Sequence, residues 1–529
     1  MTEPLVVTTP FGGSPLARAA LAGTVPPEWC AHMPHGAAEW SARAHAAMND
    51  AGVQQWAAAL APALQPSGAA AERLARSASG KGVLVTTGQQ PGLFGGPVYT
   101  WSKALSALAL ADALERGMGI PVAPVFWAAT YDADFAEASA SYVILNGELV
   151  RLQLPPTDTP DLSMRDTPLG DVQPLFRTLE QASGSAVAHA ALDAVRDAYA
   201  PRQTIGLAYV RLLRAILEPL GIAVLDAGHP TVRRASREFL RLGLDHAPEI
   251  DAALAARERE LIDRGFALPV AHVRGLSTVF RYSEHTRSRI PIADAPRIHA
   301  DVELEANVVM RPVAERAILP TVAYVGGPGE VAYFAQATAI AQVLGVDVPL
   351  VVPRWSGMVL EPHVRRLLAR HALEPEELRD PHAAESRLVR AQMPQSVRDA
   401  LARYTLEANA LNDALRATIA ADERGPLVPE AVLDGARHNI AHRLERLQRR
   451  VVAAAKRRET ATMRDVAIAR TSLFPLGKPQ ERVLNFIPML ARHGEPLLTQ
   501  MRARASEHAS SIVSGRPSIA SDDRVGATR

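Results

Sequence analysis

With 529 residues, 48% of them apolar, the chain is long enough for two or three structural units and has the apolar surface to bury them. Its net charge of +1 leaves no large field of one sign, which argues against a basic face dedicated to nucleic-acid phosphates and points to small partners. A single cysteine, Cys30, excludes a disulfide framework or a cysteine zinc cluster within one chain.

The opening residues, MTEPLVVTTPFGG, lack the basic patch and apolar core of a signal peptide, and no run of about 18 uncharged apolar residues follows. The expectation is a cytoplasmic protein with no membrane or nucleic-acid partner. Lysine occupies only positions 81, 103, 456 and 478, so a retained lysine marks a place where a compact ammonium does what a guanidinium cannot, or an ordinary surface site.

Residues 1–80 are alanine-rich and read as a helical lead-in. At residue 83 the pattern changes: VLVTT is a short β-branched run, TGQQPGLFGGP is a glycine-rich loop, and Pro97 precedes a helix running to about Arg116 and ending near Gly117 and Gly119. PVAPVFWAA is a second apolar strand, giving a strand, loop, helix, strand unit of the parallel α/β kind. Asn146-Gly147 between alternating runs predicts a type I′ hairpin within an insertion over 142–205.

The α/β rhythm resumes with a helix at 206–218, the strand IAVLDA, the turn Gly228-His229-Pro230 and another helix. A second insertion over 251–310 holds short strands such as TVFRYS. The strand PTVAYV, the loop GGPGE, the helix VAYFAQATAIAQVLG and the strand VPLVVP complete a core over 81–360. Beyond it, Val397, Leu401, Tyr404, Ala408, Leu411 and Leu415, then Ile440, Leu444, Leu447, Val451 and Ala454, step by fours and threes. These predict an antiparallel coiled-coil hairpin within 361–470, joined around 422–430. Residues 471–505 return to the core, and the polar, aperiodic stretch 506–529 is expected to be disordered.

In an open parallel sheet, ligands bind beyond the carboxyl ends of the strands. Three loops converge there. The first, with Thr87, Gly88, Gln89, Gln90 and Gly92, lets backbone N–H groups approach an anion, with Tyr99 and Lys103 in the following helix; tight packing is the plainer use of its glycines. The second places Asp132 and Asp134 after the strand VFWAA. In extended chain the two carboxylates share a face and meet an amine, ribose hydroxyls or Mg²⁺; capping a helix is the alternative for either. The third, Gly326, Gly327, Gly329 and Glu330, repeats the anion cradle, with capping as the other role of Glu330. No zincin, C-x-x-C or nucleophile-elbow motif occurs and no protein metal cluster is expected; a lone histidine such as His229 reads as structural.

Taken together, TTGQQPGLFGGPVYTWSKALSALALA, PVFWAATYDADF, LDAGHP, NVVMRPVAERAILPTVAYVGGPGEVAYF and PLGKPQERVLNFIPMLARHG resemble the cysteine-adding ligases of bacillithiol biosynthesis. The resemblance implies a Rossmann-like core with insertions like those of class I aminoacyl-tRNA synthetases, and a C-terminal coiled coil supporting a homodimer. It implies addition of L-cysteine to the amino group of glucosaminyl-malate; the carboxylate must first be activated, by ATP as an acyl phosphate or an acyl adenylate, so that ATP or ADP is the expected cofactor and Mg²⁺ a candidate companion. Lys103 or Arg311 would then hold the malate carboxylates, and Asp132 or Asp134 the acceptor amine. One departure stands out: the family's second loop reads Asp-His-Asp, whereas this chain has Asp132-Ala133-Asp134. A divergent donor, or a member that binds without turnover, is the competing expectation.

Overall fold

The computed structural model describes residues 3–79, 81–421 and 428–515. The chain divides into two units, residues 2–360 together with 478–529, and residues 361–477.

The first unit is built on five parallel strands: β1 (Val83–Gln89), β2 (Val122–Ala128), β3 (Ala223–Asp226), β4 (Thr321–Gly326) and β5 (Val351–Pro353). Their spatial order is β5-β4-β1-β2-β3. β1 and β2 are buried almost throughout, as central strands covered on both faces must be. Between β1 and β2 runs helix α1 (Val98–Met118), which begins after Pro97 and stops at Gly119, in the left-handed region at φ 70°. α1 is buried nearly all round, because the C-terminal helix Ile487–Val513 lies along it. Between β4 and β5 runs α2 (Pro328–Val343).

Successive strands move one way along the sheet from β1 to β3 and the other way from β4 to β5. Right-handed crossovers therefore set α1 and α2 on opposite faces, and the loops after β1 and β4 part from each other at the carboxyl edge. That parting is the switch point where a crevice opens.

The first insertion carries the expected hairpin, Ala140–Leu145 with Glu148–Gln153, and Asn146 and Gly147 both take positive φ, 54° and 84°. The second is richer than its sequence suggests: a helix Ala247–Asp263 precedes a three-stranded antiparallel sheet of Leu276–Ser283, Thr286–Pro291 and Glu303–Ala306. The lead-in is helical but opens with a strand, Leu5–Thr8, paired antiparallel with Gly357–Leu360. Residues 506–513, expected to be disordered, continue the C-terminal helix: Ala505 and Ala509 are buried among alanines and leucines of the core, and small residues supply an apolar face that aperiodic polar neighbours mask. Residues 516–529 lie outside the described residues.

In the second unit the helices Gln395–Ala420 and Glu430–Arg458 run antiparallel, with Arg416 on Asp434, Arg437 Nη1 at 3.7 Å from Asp413 and Gln448 donating to Thr405. Most of the connection 422–430 is outside the described residues. The seam differs from the expected one. Leu401, Thr405, Ala408 and Asn412 are half-buried and Leu444 is buried, whereas Tyr404, Leu411 and Leu415 are exposed, Leu411 at 72%. The expected heptad is buried in part, at Leu401, Ala408 and Leu444, and polar residues beside it, such as Thr405 with Gln448, complete the contact between the two helices.

Candidate active site

At the switch point lies a cavity of about 620 Å³. Its floor is an ion pair between the two helices that follow the diverging loops. Lys103 Nζ, from α1, is 2.5 Å from Glu330 Oε2, in the first turn of α2, and donates also to Gly88 O (2.8 Å) and Gln89 Oε1 (3.1 Å). Glu330 further accepts from Tyr324 Oη (2.5 Å) and from the backbone N–H of Gly327 (2.6 Å). Burial acts to raise Glu330, but Lys103, the Tyr324 hydroxyl and the Gly327 N–H prevail and hold it below its ordinary value. Burial pulls Lys103 down, opposed by Glu330. The lysine is thus one that a guanidinium could not replace: three acceptors surround a single nitrogen.

The glycines divide into two groups. A Cβ at Gly88 would stand 2.8 Å from Trp127 O, one at Gly92 2.8 Å from Gly96 Cα, and one at Gly326 2.8 Å from Val351 Cγ2, so these three are required by packing. Gly327 and Gly329 line the cavity, and a Cβ at Gly329 would meet nothing within 4 Å. Close approach of a ligand to backbone is therefore a property of the third loop.

Thr87 is not brought to the cavity: it points into the sheet and donates to Val325 O at 2.7 Å, tying β1 to β4. Gln89 donates to Tyr99 Oη (2.9 Å), and burial pushes the Tyr99 phenol up. Gln90 donates to Asp132 Oδ2. Asp132 Oδ1 accepts from Arg287 Nη2 (2.9 Å) and from Ala133 N–H (2.8 Å), which leaves Oδ2 with a lone pair toward the cavity. Asp134 does not join it. The chain turns at Thr130 and Tyr131 instead of staying extended, so alternation fails, and Asp134 caps the short helix Phe135–Ala138 through Glu137 N–H at 3.0 Å. Arg311 lines the cavity but is spent on Glu315 (2.6 Å) and Tyr333 Oη (3.1 Å), with its guanidinium 4.6 Å above the Tyr324 ring.

Several residues carried no recognised sequence signal. Arg354 grips Glu481 with both terminal nitrogens (2.8 and 2.6 Å), while its buried Nε has no hydrogen-bond partner among the described residues, and the residue lines the cavity. Glu481 and Arg482 sit in the PLGKPQER segment, legible as a motif but not as chemistry. Arg289 and Arg482 line the cavity and form no ion pair among the described residues. His272 lies against Asp251, Nε2 to Oδ1 2.8 Å. Beneath the floor, burial pushes Glu305 up to about 7 against the pull of Arg287 and Arg233. Among the described residues no group of three or more His, Cys, Asp or Glu converges on a metal position, and no helix is long and apolar enough to cross a membrane.

The profile of the bacillithiol biosynthesis BshC N-terminal Rossmann-like domain matches residues 39–303 and 298–355, and that of the BshC C-terminal coiled-coil domain matches residues 357–511. The chain belongs to the BshC family. Among its relatives, a protein of Solibacter usitatus named "Putative cysteine ligase BshC" is 31% identical over 458 residues, covering 83% of this chain and 85% of the relative. Proteins of the same name from Koribacter versatilis (31% over 453 residues; 81% and 82% covered) and Bacillus licheniformis (26% over 459 residues; 82% and 84%) match the same extent. Family membership accounts for the Rossmann-like sheet, the coiled-coil unit and a ligase of bacillithiol biosynthesis.

Proposed function

We propose that this chain joins L-cysteine to the amino group of glucosaminyl-malate in the switch-point crevice, drawing on ATP. Condensing a carboxylate with an amine in water is uphill, so the carboxyl must first gain a leaving group; ATP supplies that chemistry as a phosphoryl or adenylyl donor. The residues fit such a cosubstrate: the orphan Arg354 Nε and the open backbone at Gly329, in the first turn of α2, offer donors to phosphate oxygens. With Lys103 and Arg311 committed to protein carboxylates, Arg289 and Arg482, which line the cavity and form no ion pair among the described residues, would meet substrate carboxylates.

Asp132 is the acid for the amine. Arg287 and Gln90 fix its orientation and its Oδ2 keeps an accepting site, so it can hold the acceptor's ammonium and, after proton loss, aim the nucleophile. The observation that carries this reading is the convergence of that single oriented acid with the open backbone at Gly329 in one cavity of a BshC-family chain. The same reading takes the molecule as a homodimer through the 395–458 hairpin, whose apolar stripe of Tyr404, Leu411 and Leu415 is exposed among the described residues.

The test supplies purified protein, glucosaminyl-malate, ATP and each amino acid in turn, and follows product by mass. Product with cysteine supports the reading; product with a different amino acid supports a divergent donor; none with any donor, despite nucleotide binding, marks a member that binds without turnover.

A further inference from the structure

Beside the crevice lies a second cavity of about 270 Å³, sharing a wall of Gln89, Gln90, Tyr99 and Arg482 with it. Its far side is the glycine-rich loop and first turn of α1, and the hairpin 140–153 covers it with Tyr142 and Arg151. The ligase reading draws on the shared wall, through Gln90 and Arg482, but not on Thr100, Arg151 or the first turn of α1, which belong to this chamber alone.

Three observations point to a ligand. Thr100 is 1% exposed and lines the chamber, yet its Oγ1 has no hydrogen-bond partner among the described residues. A buried hydroxyl left unpaired is costly, and a group entering the chamber would relieve it. Gly96 borders that hydroxyl: it takes φ 72°, and a Cβ there would stand 3.3 Å from Thr100 Oγ1. Arg151 and Arg482 both line the chamber, and neither forms an ion pair among the described residues. The N-terminus of α1 has no side-chain cap and adds the positive end of its dipole. The carboxylate here, Glu137, belongs to an exposed residue; crowding of its carboxyl, then Asp134 and Asp132, raise it from its ordinary value.

We propose that this side chamber is an oxyanion site for a compact, doubly charged group, either a phosphate or a pair of carboxylates. Arg151 and Arg482 provide the charge and Thr100 Oγ1 donates a hydrogen bond. The assignment stands on the chamber's chemistry and holds whether or not the chain ligates cysteine.

The test is calorimetric titration of the full chain at low ionic strength with inorganic phosphate and, separately, with L-malate. Wild-type protein should bind at least one of them at a single site; tighter phosphate assigns the chamber to a phosphate, tighter malate to a dicarboxylate. Arg151→Gln and Arg482→Gln should each weaken that binding by about tenfold or more, since each removes a charge-assisted contact, and Thr100→Val by roughly threefold to tenfold. Circular dichroism confirms that each variant is folded. The proposal is overturned if neither anion binds wild-type protein, if Arg151→Gln and Thr100→Val bind as wild type does, or if Arg289→Gln abolishes binding that Arg151→Gln leaves intact, which would put the anion in the main crevice.

Discussion

Replacing Lys103 by methionine keeps the aliphatic stem in its buried place and removes the ammonium. Glu330 would remain on the crevice floor with the Tyr324 hydroxyl and the Gly327 N–H but no counter-charge, its side chain only 17% exposed. Breaking a buried ion pair from one side costs about 3–5 kcal/mol, and the two surviving hydrogen bonds place this case near the lower end, about 3 kcal/mol. Neutralising the stranded acid in the double variant Lys103→Met/Glu330→Gln should recover most of that loss, to within about 1 kcal/mol of wild type, because the pair's own net worth is small. Urea unfolding followed by tryptophan fluorescence isolates the relevant unit, since all six tryptophans, at 29, 40, 56, 101, 127 and 355, lie within residues 2–360. A single variant within about 1 kcal/mol of wild type, or a double variant no more stable than the single, would refute the view that this pair is a closed, mutually dependent floor.

Glu305 should make that same unit less stable as pH rises. Its folded-state value, pushed up to about 7 from 4.5, means that the native chain holds a proton the unfolded chain releases, so the contribution is full below about 4.5 and is lost as pH climbs through 7. At about 1.4 kcal/mol per pH unit the loss is at most about 3 kcal/mol, and Glu305→Gln should flatten the fluorescence-monitored stability profile between pH 5 and 8. Gly329→Val should leave the fold intact and weaken nucleotide binding at least tenfold by blocking the backbone, whereas Gly88→Val should fail to fold stably because its side chain collides with Trp127; equal behaviour in a melting and nucleotide-titration pair would contradict the division. Tyr404→Asp/Leu411→Asp should convert a dimer to a monomer in sedimentation velocity without lowering the helical signal, and a wild-type chain that already sediments as a monomer would defeat the proposed interface.

The core was legible because each of its elements carries its own signal. β1 and β2 are uninterrupted apolar runs, Pro97 and Gly119 bracket α1, and Asn146-Gly147 announces its hairpin. The site was legible as loops but not as contacts. Whether Lys103 meets a ligand or Glu330, some 230 residues away in sequence, depends on how two crossovers close around the switch point, and no local pattern encodes that distance. The same holds for Arg354 with Glu481. Asp134 misled for a different reason: alternation assumes an extended chain, and the turn at Thr130 and Tyr131 ends it two residues early. On the hairpin the heptad identified the apolar residues, but their burial depends on which of them find a partner, a question settled outside the helix itself.

The central claim, that Asp132 alone of the two loop acids serves the reaction, is tested most directly by turnover of Asp132→Asn and Asp134→Ala in the mass-resolved cysteine ligation assay. Loss of an orienting acid or base should lower kcat for Asp132→Asn by about 10²- to 10⁴-fold with far less effect on KM. Asp134→Ala should lose only a helix cap, about 1 kcal/mol of local stability, and retain kcat within about threefold. A kcat for Asp132→Asn near wild type, or a collapse confined to Asp134→Ala, would contradict the account.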